Sequence, residues 1–332
     1  MEAMYWHREE GSLRCLLCPH HCHVKEGMSG ICGVRRNEGG KLMADTFGIL
    51  SAIHSDPIEK KPLYHYHPGK TIISIGSIGC NMKCNCCQNW EISSAKAEGY
   101  AVKQRYRPIE IAVMATSNPH NAGVAYTYNE PTVWYEFMLE TARLIHFEGK
   151  KNVMVSNGYI CEEPLGELMD YMDAFNIDLK GFSDEFYCKQ AGARLKPVLE
   201  TLQNIRKRGR HLEITCLVIP SLNDGEGPFR DMVKWISEVL GKDTVLHLSR
   251  YHPAYKLNLS ATSAACLERL YHLAKDRLRY VYVGNINLKD FQDTRCSVCG
   301  EILIRRNGYQ VEKGRLSSDG SCMQCNNPVI KY

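Results

Sequence analysis

No stretch of this 332-residue sequence approaches the roughly 18 consecutive apolar residues that a membrane-spanning helix needs. The opening MEAMYWHREE lacks the basic flank and apolar core of a secretory leader. Charge of one sign is scarce as well: 41 Lys and Arg against 37 Asp and Glu leave a net +4, too slight for this size to argue for or against nucleic acid. These absences lead us to expect a cytoplasmic protein with no membrane partner. Cysteine, by contrast, is abundant, with 16 residues. They cluster at metal-like spacings instead of spreading as a disulfide framework would, which points to a reducing compartment. The length suffices for one domain of about 200 to 250 residues plus appended modules.

Cys80, Cys84 and Cys87 form a CxxxCxxC triplet in GSIGCNMKCNCCQNWEIS, just after the strand-like stretch Thr71 to Gly76. Three thiolates can hold three irons of a 4Fe-4S cubane and leave the fourth without a protein ligand, whereas an electron-carrying cluster usually closes with four cysteines. The open iron can accept the amino nitrogen and carboxylate oxygen of S-adenosylmethionine. One electron then cleaves the sulfur to carbon bond and yields a 5'-deoxyadenosyl radical. The competing reading is a zinc knuckle plus a bystander thiol. Knuckles favour two-residue gaps paired with a second knuckle, and the three-residue first gap fits that poorly.

The triplet and its surroundings resemble the radical SAM superfamily. CLLCPHHCHVKEGMSGICGVRRN, DPIEKKPLYHYHPG, ISIGSIGCNMKCNCCQN, YTYNEPT and NIDLKGF resemble the branch called AmmeMemoRadiSam system radical SAM enzymes, relatives of pyruvate formate-lyase activating enzymes. The resemblance covers most of the chain. It implies a 4Fe-4S cluster and S-adenosyl-L-methionine as cofactors, and a low-potential electron donor such as ferredoxin or flavodoxin. It also implies Memo-type and AMMECR-type proteins, or a protein substrate, as partners. One position departs from the pattern: the residue before the last cluster cysteine, commonly aromatic and set against the adenine, is Cys86.

Between residues 71 and 290, short β-branched runs alternate with helical patterns, so the expected fold class is α/β, a partial (β/α) barrel of the radical SAM type. Candidate strands lie at 71–76, 123–128, 152–156, 175–180, 212–219, 244–249 and 280–284. From Pro131 to about Glu148 the spacing predicts a helix with Trp134, Phe137, Met138, Leu144 and Ile145 on one face, Pro131 in its first turn and Gly149 as its cap. A Cys-rich N-terminal segment, 1–70, and a zinc-ribbon-like module, 291–332, flank the barrel.

Reactive groups of βα barrels sit at the C-terminal ends of strands. Here the strand ends carry Asn129 and Glu130, Ser156 and Asn157, Asp178 and Lys180, Asn223 and Asp224, Arg250 and His252, and Asn285. Asn129 and Glu130 are candidate cofactor contacts, Glu130 as the ligand for the amino group of S-adenosylmethionine, since a carboxylate accepts a charge-assisted hydrogen bond from it. Its plain alternative is a cap, shared with Asn129, for the helix at Pro131. Ser156 and Asn157, in VSNGY, match the segment that in the family reaches the cofactor's ribose or carboxylate; taken alone, Asn-Gly after a strand reads as a turn. Asp178 and Lys180 alternate with Ile177 and Leu179 and so share one strand face, either as a cofactor contact or as a structural ion pair. His252, in SRYHPAYK, is assigned to the cofactor by resemblance only. The basic run Arg206, Lys207, Arg208, Arg210 and His211 reads as the solvated end of a helix in preference to a nucleic-acid patch.

Cys296 and Cys299, with Cys322 and Cys325, make two CxxC pairs that read as a zinc ribbon, the metal folding a tail of about 40 residues too small to bury its own core. Cys15, Cys18, Cys22 and Cys32, interleaved with His20, His21 and His23, suffice for zinc or for a second cluster. Cys161, Cys188, Cys216 and Cys266 stand alone. The expected function is reductive cleavage of S-adenosylmethionine, with the radical abstracting hydrogen from a substrate in the barrel mouth. The alternatives are an activase acting on a protein glycine and a non-enzymatic metal-rich scaffold or electron carrier.

Overall fold

The computed structural model describes residues 1–102, 104–330 and 332. Strands β1 (Trp6–Glu9), β2 (Ser12–Cys15) and β3 (His23–Val24) form a small antiparallel sheet, and β4 (Arg35–Glu38) pairs with β5 (Lys41–Ala44) as a hairpin. The hairpin turns on Gly39 and Gly40, at φ 61° and 72°, the positive pair that a tight two-residue connection needs.

The main sheet contains β6 (Ala52–Pro57), β7 (Thr71–Gly76), β8 (Asn121–Tyr126), β9 (Lys151–Ser156), β10 (Ala174–Asp178), β11 (His211–Val218), β12 (Val245–Arg250) and β13 (Val281–Gly284), hydrogen-bonded in that order. β7 to β13 run parallel and β6 runs antiparallel to β7. Among the described residues β6 and β13 do not pair, so the sheet curls into a partial barrel. Parallel strands are covered on both faces and read as apolar runs, which is why seven of the eight were legible.

The eighth, β6, corrects the expected boundary at residue 70. Its Asp56 pairs with Ile72 of β7, so the barrel sheet begins at residue 52. AIHSDP, with an imidazole, a carboxylate and a proline, reads as a loop; an edge strand tolerates all three, and Pro57 ends it.

The segment after β8 forms a 3-10 turn, Pro131–Trp134, and then an α-helix, Tyr135–Phe147, whose Phe137, Met138 and Ile145 are buried. Leu144 is only partly buried, and Gly149 adopts φ 68° just beyond the end. Arg206 and Lys207 close the helix Leu195–Lys207 and are exposed, but His211 opens β11 and is buried. The run is thus partly helix end and partly sheet.

The C-terminal module holds β14 (Thr294–Arg295), β15 (Ile302–Asn307) and β16 (Gln310–Lys313), around a small core of Cys296, Leu303, Ile304, Cys322 and Ile330. It is fastened to the barrel by Arg306, whose Nη2 donates to the Tyr64 carbonyl at 2.8 Å while the guanidinium stacks 4.1 Å over the Tyr64 ring. Among the described residues no helix is long and apolar enough to cross a membrane.

Candidate active site

The cysteine loop springs from the end of β7, where backbones approach closely. A Cβ added at Gly76 would stand 2.8 Å from the Thr127 carbonyl oxygen, so only glycine fits. Asn129 pins the first residues of the loop: its Oδ1 accepts from the Ser77 N–H at 2.9 Å and from Trp134 Nε1 at 3.2 Å, and its Nδ2 donates to the Gly79 carbonyl at 2.8 Å. Backbone bonds from Lys83 to Ala191 (2.8 Å) and from Asn85 to Gln190 (2.9 Å) tie down the far side of the loop.

Cys80, Cys84 and Cys87 then line one wall of a cavity of about 570 Å³. The same cavity is lined by Glu130, Ser156, Asn157, Asp178 and Lys180, from the ends of β8, β9 and β10. Cys86 lines it too. The Asn157 Nδ2 stands 3.7 Å from Cys80 Sγ, the Met82 N–H 3.4 Å from the same sulfur, and Ser93 Oγ 3.1 Å from Cys87 Sγ.

Burial, reinforced by the Glu130 charge, pushes the Cys80 thiol far up; burial lifts Cys84 to about 12 against the pull of Lys180. Such thiols become ligands only when a metal draws off the proton. Spacing separates one ion from a cluster. Among the described residues, only Cys296, Cys299, Cys322 and Cys325 bring three or more such ligand atoms within 4.8 Å of one another. The loop thiols therefore stand wider apart than donors to a single ion, as thiolates bound to different irons of one cluster must. The donor set fits a three-thiolate cluster.

Glu130 is 2% exposed, and its two oxygens are placed differently. Oε1 accepts from the Thr132 N–H (3.0 Å), Thr132 Oγ1 (2.6 Å) and Ser156 Oγ (2.8 Å), capping the turn at Pro131. Among the described residues Oε2 accepts only the Asn157 N–H, at 2.8 Å, and the residue still faces the cavity. Lys180 Nζ pairs with Asp178 Oδ2 at 2.7 Å. Burial opposes the Lys180 charge, but Asp178, with Cys84 and Cys86 in their thiolate form, outweighs it and holds the ammonium well above its ordinary range.

His252 is exposed beyond β12 and lies off the cavity wall, so the structure leaves it outside the site. A network on the β6 side was not foreseen. Lys60 Nζ and Lys61 Nζ bind Asp56 at 2.9 and 2.7 Å, Tyr128 Oη donates to the same carboxylate at 2.6 Å, and both lysines and Tyr128 line the cavity. Thr215, Ser249 and Tyr309 also line it, the last from the C-terminal module.

Two further cysteine groups are assembled. Cys296 and Cys325 stand 3.5 Å apart and Cys299 and Cys322 3.6 Å, close to the roughly 3.8 Å between sulfurs of a tetrahedral zinc site. This group can hold a metal ion. Cys15, Cys18, Cys22 and Cys32 surround a separate cavity behind the cluster loop. Of the lone cysteines, Cys216 is buried, Cys188 is exposed, and Cys161 and Cys266 are half-buried.

The family model for the Radical SAM superfamily matches residues 74–236. The uncharacterized protein MJ0808 of Methanocaldococcus jannaschii is 41% identical over 309 residues, 92% of this chain and 91% of that one. The pyruvate formate-lyase 1-activating enzyme of Escherichia coli K12 is 22% identical over 179 residues, 52% of this chain and 71% of the relative. Among solved structures, a radical SAM methyltransferase from Sphaerobacter thermophilus superposes with a TM-score of 0.53 at 12% identity, covering 71% of each chain. Streptococcus suis SuiB bound to S-adenosylmethionine gives 0.50 at 13% identity, over 62% of this chain and 48% of that one. These two likenesses concern the fold alone.

Proposed function

This chain belongs to the radical SAM superfamily and is an enzyme, and from that premise we propose that it reductively cleaves S-adenosylmethionine and uses the 5'-deoxyadenosyl radical to take a hydrogen atom from its substrate. The observation that carries the reading is a single cavity lined by Cys80, Cys84 and Cys87 and by the polar ends of β8, β9 and β10. Those three thiolates would hold a 4Fe-4S cluster, which would supply the electron and a coordination site for the cofactor.

The protein's own residues bind and orient. Glu130 Oε2, with one lone pair free of protein donors, is the acceptor for the cofactor's ammonium. Ser156 and Asn157 hold that carboxylate at a fixed angle, and Asn157 Nδ2 approaches the first cluster cysteine. The Asp178–Lys180 pair sets a cation beside Cys84 and Cys86. A low-potential protein such as ferredoxin or flavodoxin is the proposed electron source.

The cavity runs into a second chamber of about 420 Å³, with Lys60, Thr215, Ser249, Asn285 and Tyr309 common to both. Its walls add Asn287, Gln292 and Asn307. Gln292 is buried and its Oε1 has no hydrogen-bond partner among the described residues, an acceptor in want of a donor. Amide walls of this kind suit a peptide backbone, which favours, as the second reading, activation of a protein glycine.

Anaerobically reconstituted protein given dithionite and S-adenosylmethionine should release 5'-deoxyadenosine, and a Cys80→Ala, Cys84→Ala, Cys87→Ala variant should not. Deuterated candidate substrates should pass label into the product. An intact cluster that forms no deoxyadenosine would sink the proposal in favour of an electron carrier.

A further inference from the structure

Cys15 closes β2, Cys18 and Cys22 lie on the loop to β3, and Cys32 precedes β4; all four face one cavity, walled by Leu17, Val24 and Val133. Arg35 lines the same cavity at 2% exposure. Its Nη1 is paired with Glu136 at 2.8 Å, yet its Nε has no hydrogen-bond partner among the described residues. A buried N–H is costly unless it meets an acceptor, and a thiolate-bound anionic centre supplies one.

The spacing of these thiols distinguishes a cluster from zinc. At the C-terminal site four sulfurs close to single-ion distance; here no three ligand atoms come within 4.8 Å of one another. Thiolates on separate irons need the wider spacing, and four of them close a cluster completely, leaving no iron for substrate chemistry but a competent electron carrier.

The site backs directly onto the active-site loop. Asn81, the neighbour of Cys80, lines this cavity, and its carbonyl is 2.7 Å from His20 Nε2. A Cβ on Gly79 would stand 2.8 Å from the Cys32 carbonyl oxygen, so the two cysteine loops touch through their backbones. Thr132, also on the cavity wall, donates to Glu130 in the active site.

We propose that Cys15, Cys18, Cys22 and Cys32 hold a second iron–sulfur cluster that relays single electrons from a low-potential protein donor to the active-site cluster. One electron enters from the donor and one leaves to the active site per cleavage, with no bond made or broken at the relay and no proton moved. The relay rests on the proposed radical chemistry of the active site; the cluster itself does not.

The test separates the two. The variant lacking Cys80, Cys84 and Cys87, reconstituted anaerobically, should retain about four irons and four sulfides per chain and give an electron paramagnetic resonance signal on reduction with dithionite. Further Cys18→Ala and Cys32→Ala changes should abolish both. Zinc in place of iron, or loss of all iron with the active-site triplet, overturns the cluster. With the triplet intact, the Cys18→Ala, Cys32→Ala variant should keep the active-site resonance signal and its dithionite-driven deoxyadenosine formation, but lose tenfold or more with flavodoxin as donor. Equal rates with flavodoxin before and after the change overturn the relay while leaving the cluster in place.

Discussion

The Ser156 hydroxyl donates to Glu130 Oε1 across 2.8 Å, joining the end of β9 to the turn after β8. With two donations from Thr132 and one from Asn157, all four hydrogen-bond partners of this carboxylate among the described residues act as donors. Glu130→Gln therefore sets an amide N–H against a donor wherever it points. Leaving a buried group unpaired costs about 1 to 3 kcal/mol, so the variant should melt lower and bind S-adenosylmethionine about tenfold or more weakly. Ser156→Ala removes one donor and keeps the charge, so it should melt slightly lower with near-normal cofactor affinity. Calorimetric binding to both reconstituted variants decides; equal weakening would show that Glu130 acts only as a brace.

Lys180 puts a fixed positive charge beside Cys84 and Cys86. A cation near a cluster favours its reduced form, and its removal leaves Asp178 uncompensated. Lys180→Met should therefore make the active-site cluster harder to reduce, shifting its midpoint potential to more negative values in a spectroelectrochemical titration. An unchanged potential would mean that Lys180 serves Asp178 alone.

Acid should loosen the junction between barrel and C-terminal module. His65 is buried, with Nδ1 3.1 Å from the Val329 carbonyl and Nε2 2.6 Å from Tyr282 Oη, an arrangement that suits the neutral ring. Burial lowers its pKa to about 3, from roughly 6.5 when unfolded. Between those values the unfolded chain binds a proton that the folded one refuses, so stability is full above about pH 6.5 and falls with pH down to about 3. His67, lowered to about 4 by burial, acts in the same direction. His65→Gln should be less stable at pH 7.5 but should flatten the pH dependence between pH 6 and 4 by about 1.4 kcal/mol per pH unit. Urea midpoints at several pH values measure it.

What could be read from the sequence divides along physical lines. β7 to β13 announced themselves because a doubly covered strand must be apolar, and the triplet because cluster ligands sit close together in the chain. Glu130 was visible as a polar strand end, though not the four donors it gathers. β6 was hidden because an edge strand need not be hydrophobic. The Asp56, Lys61 and Tyr128 network was illegible for another reason: its members lie up to 72 residues apart, and only the pairing of β7 with β6 on one side and β8 on the other brings them together. His252 illustrates the converse, a polar residue near a strand end that the loop carries into solvent.

Tyr309 was equally invisible, since it reaches the cavity from a module that the sequence shows only as a metal tail. It sits in the turn between β15 and β16, half exposed, and lines both the cofactor cavity and the second chamber. The turn is held through β15, where Arg306 anchors to Tyr64 and to Thr294 Oγ1 at 2.7 Å, and the module's small core includes two of its four metal-spaced sulfurs. A tail of this size has too little apolar surface to stay folded by packing alone, so bound metal is expected to hold the turn in place. Cys322→Ser should therefore release metal and make the chain beyond Asn287 sensitive to protease while the barrel resists. Tyr309→Ala should keep the metal and the protease pattern and form deoxyadenosine normally without substrate. With substrate, its deuterium transfer should fall in Cys322→Ser and in Tyr309→Ala alike, because both remove the same wall of the second chamber. A Tyr309→Ala protein that transfers label at the full rate would place the substrate elsewhere.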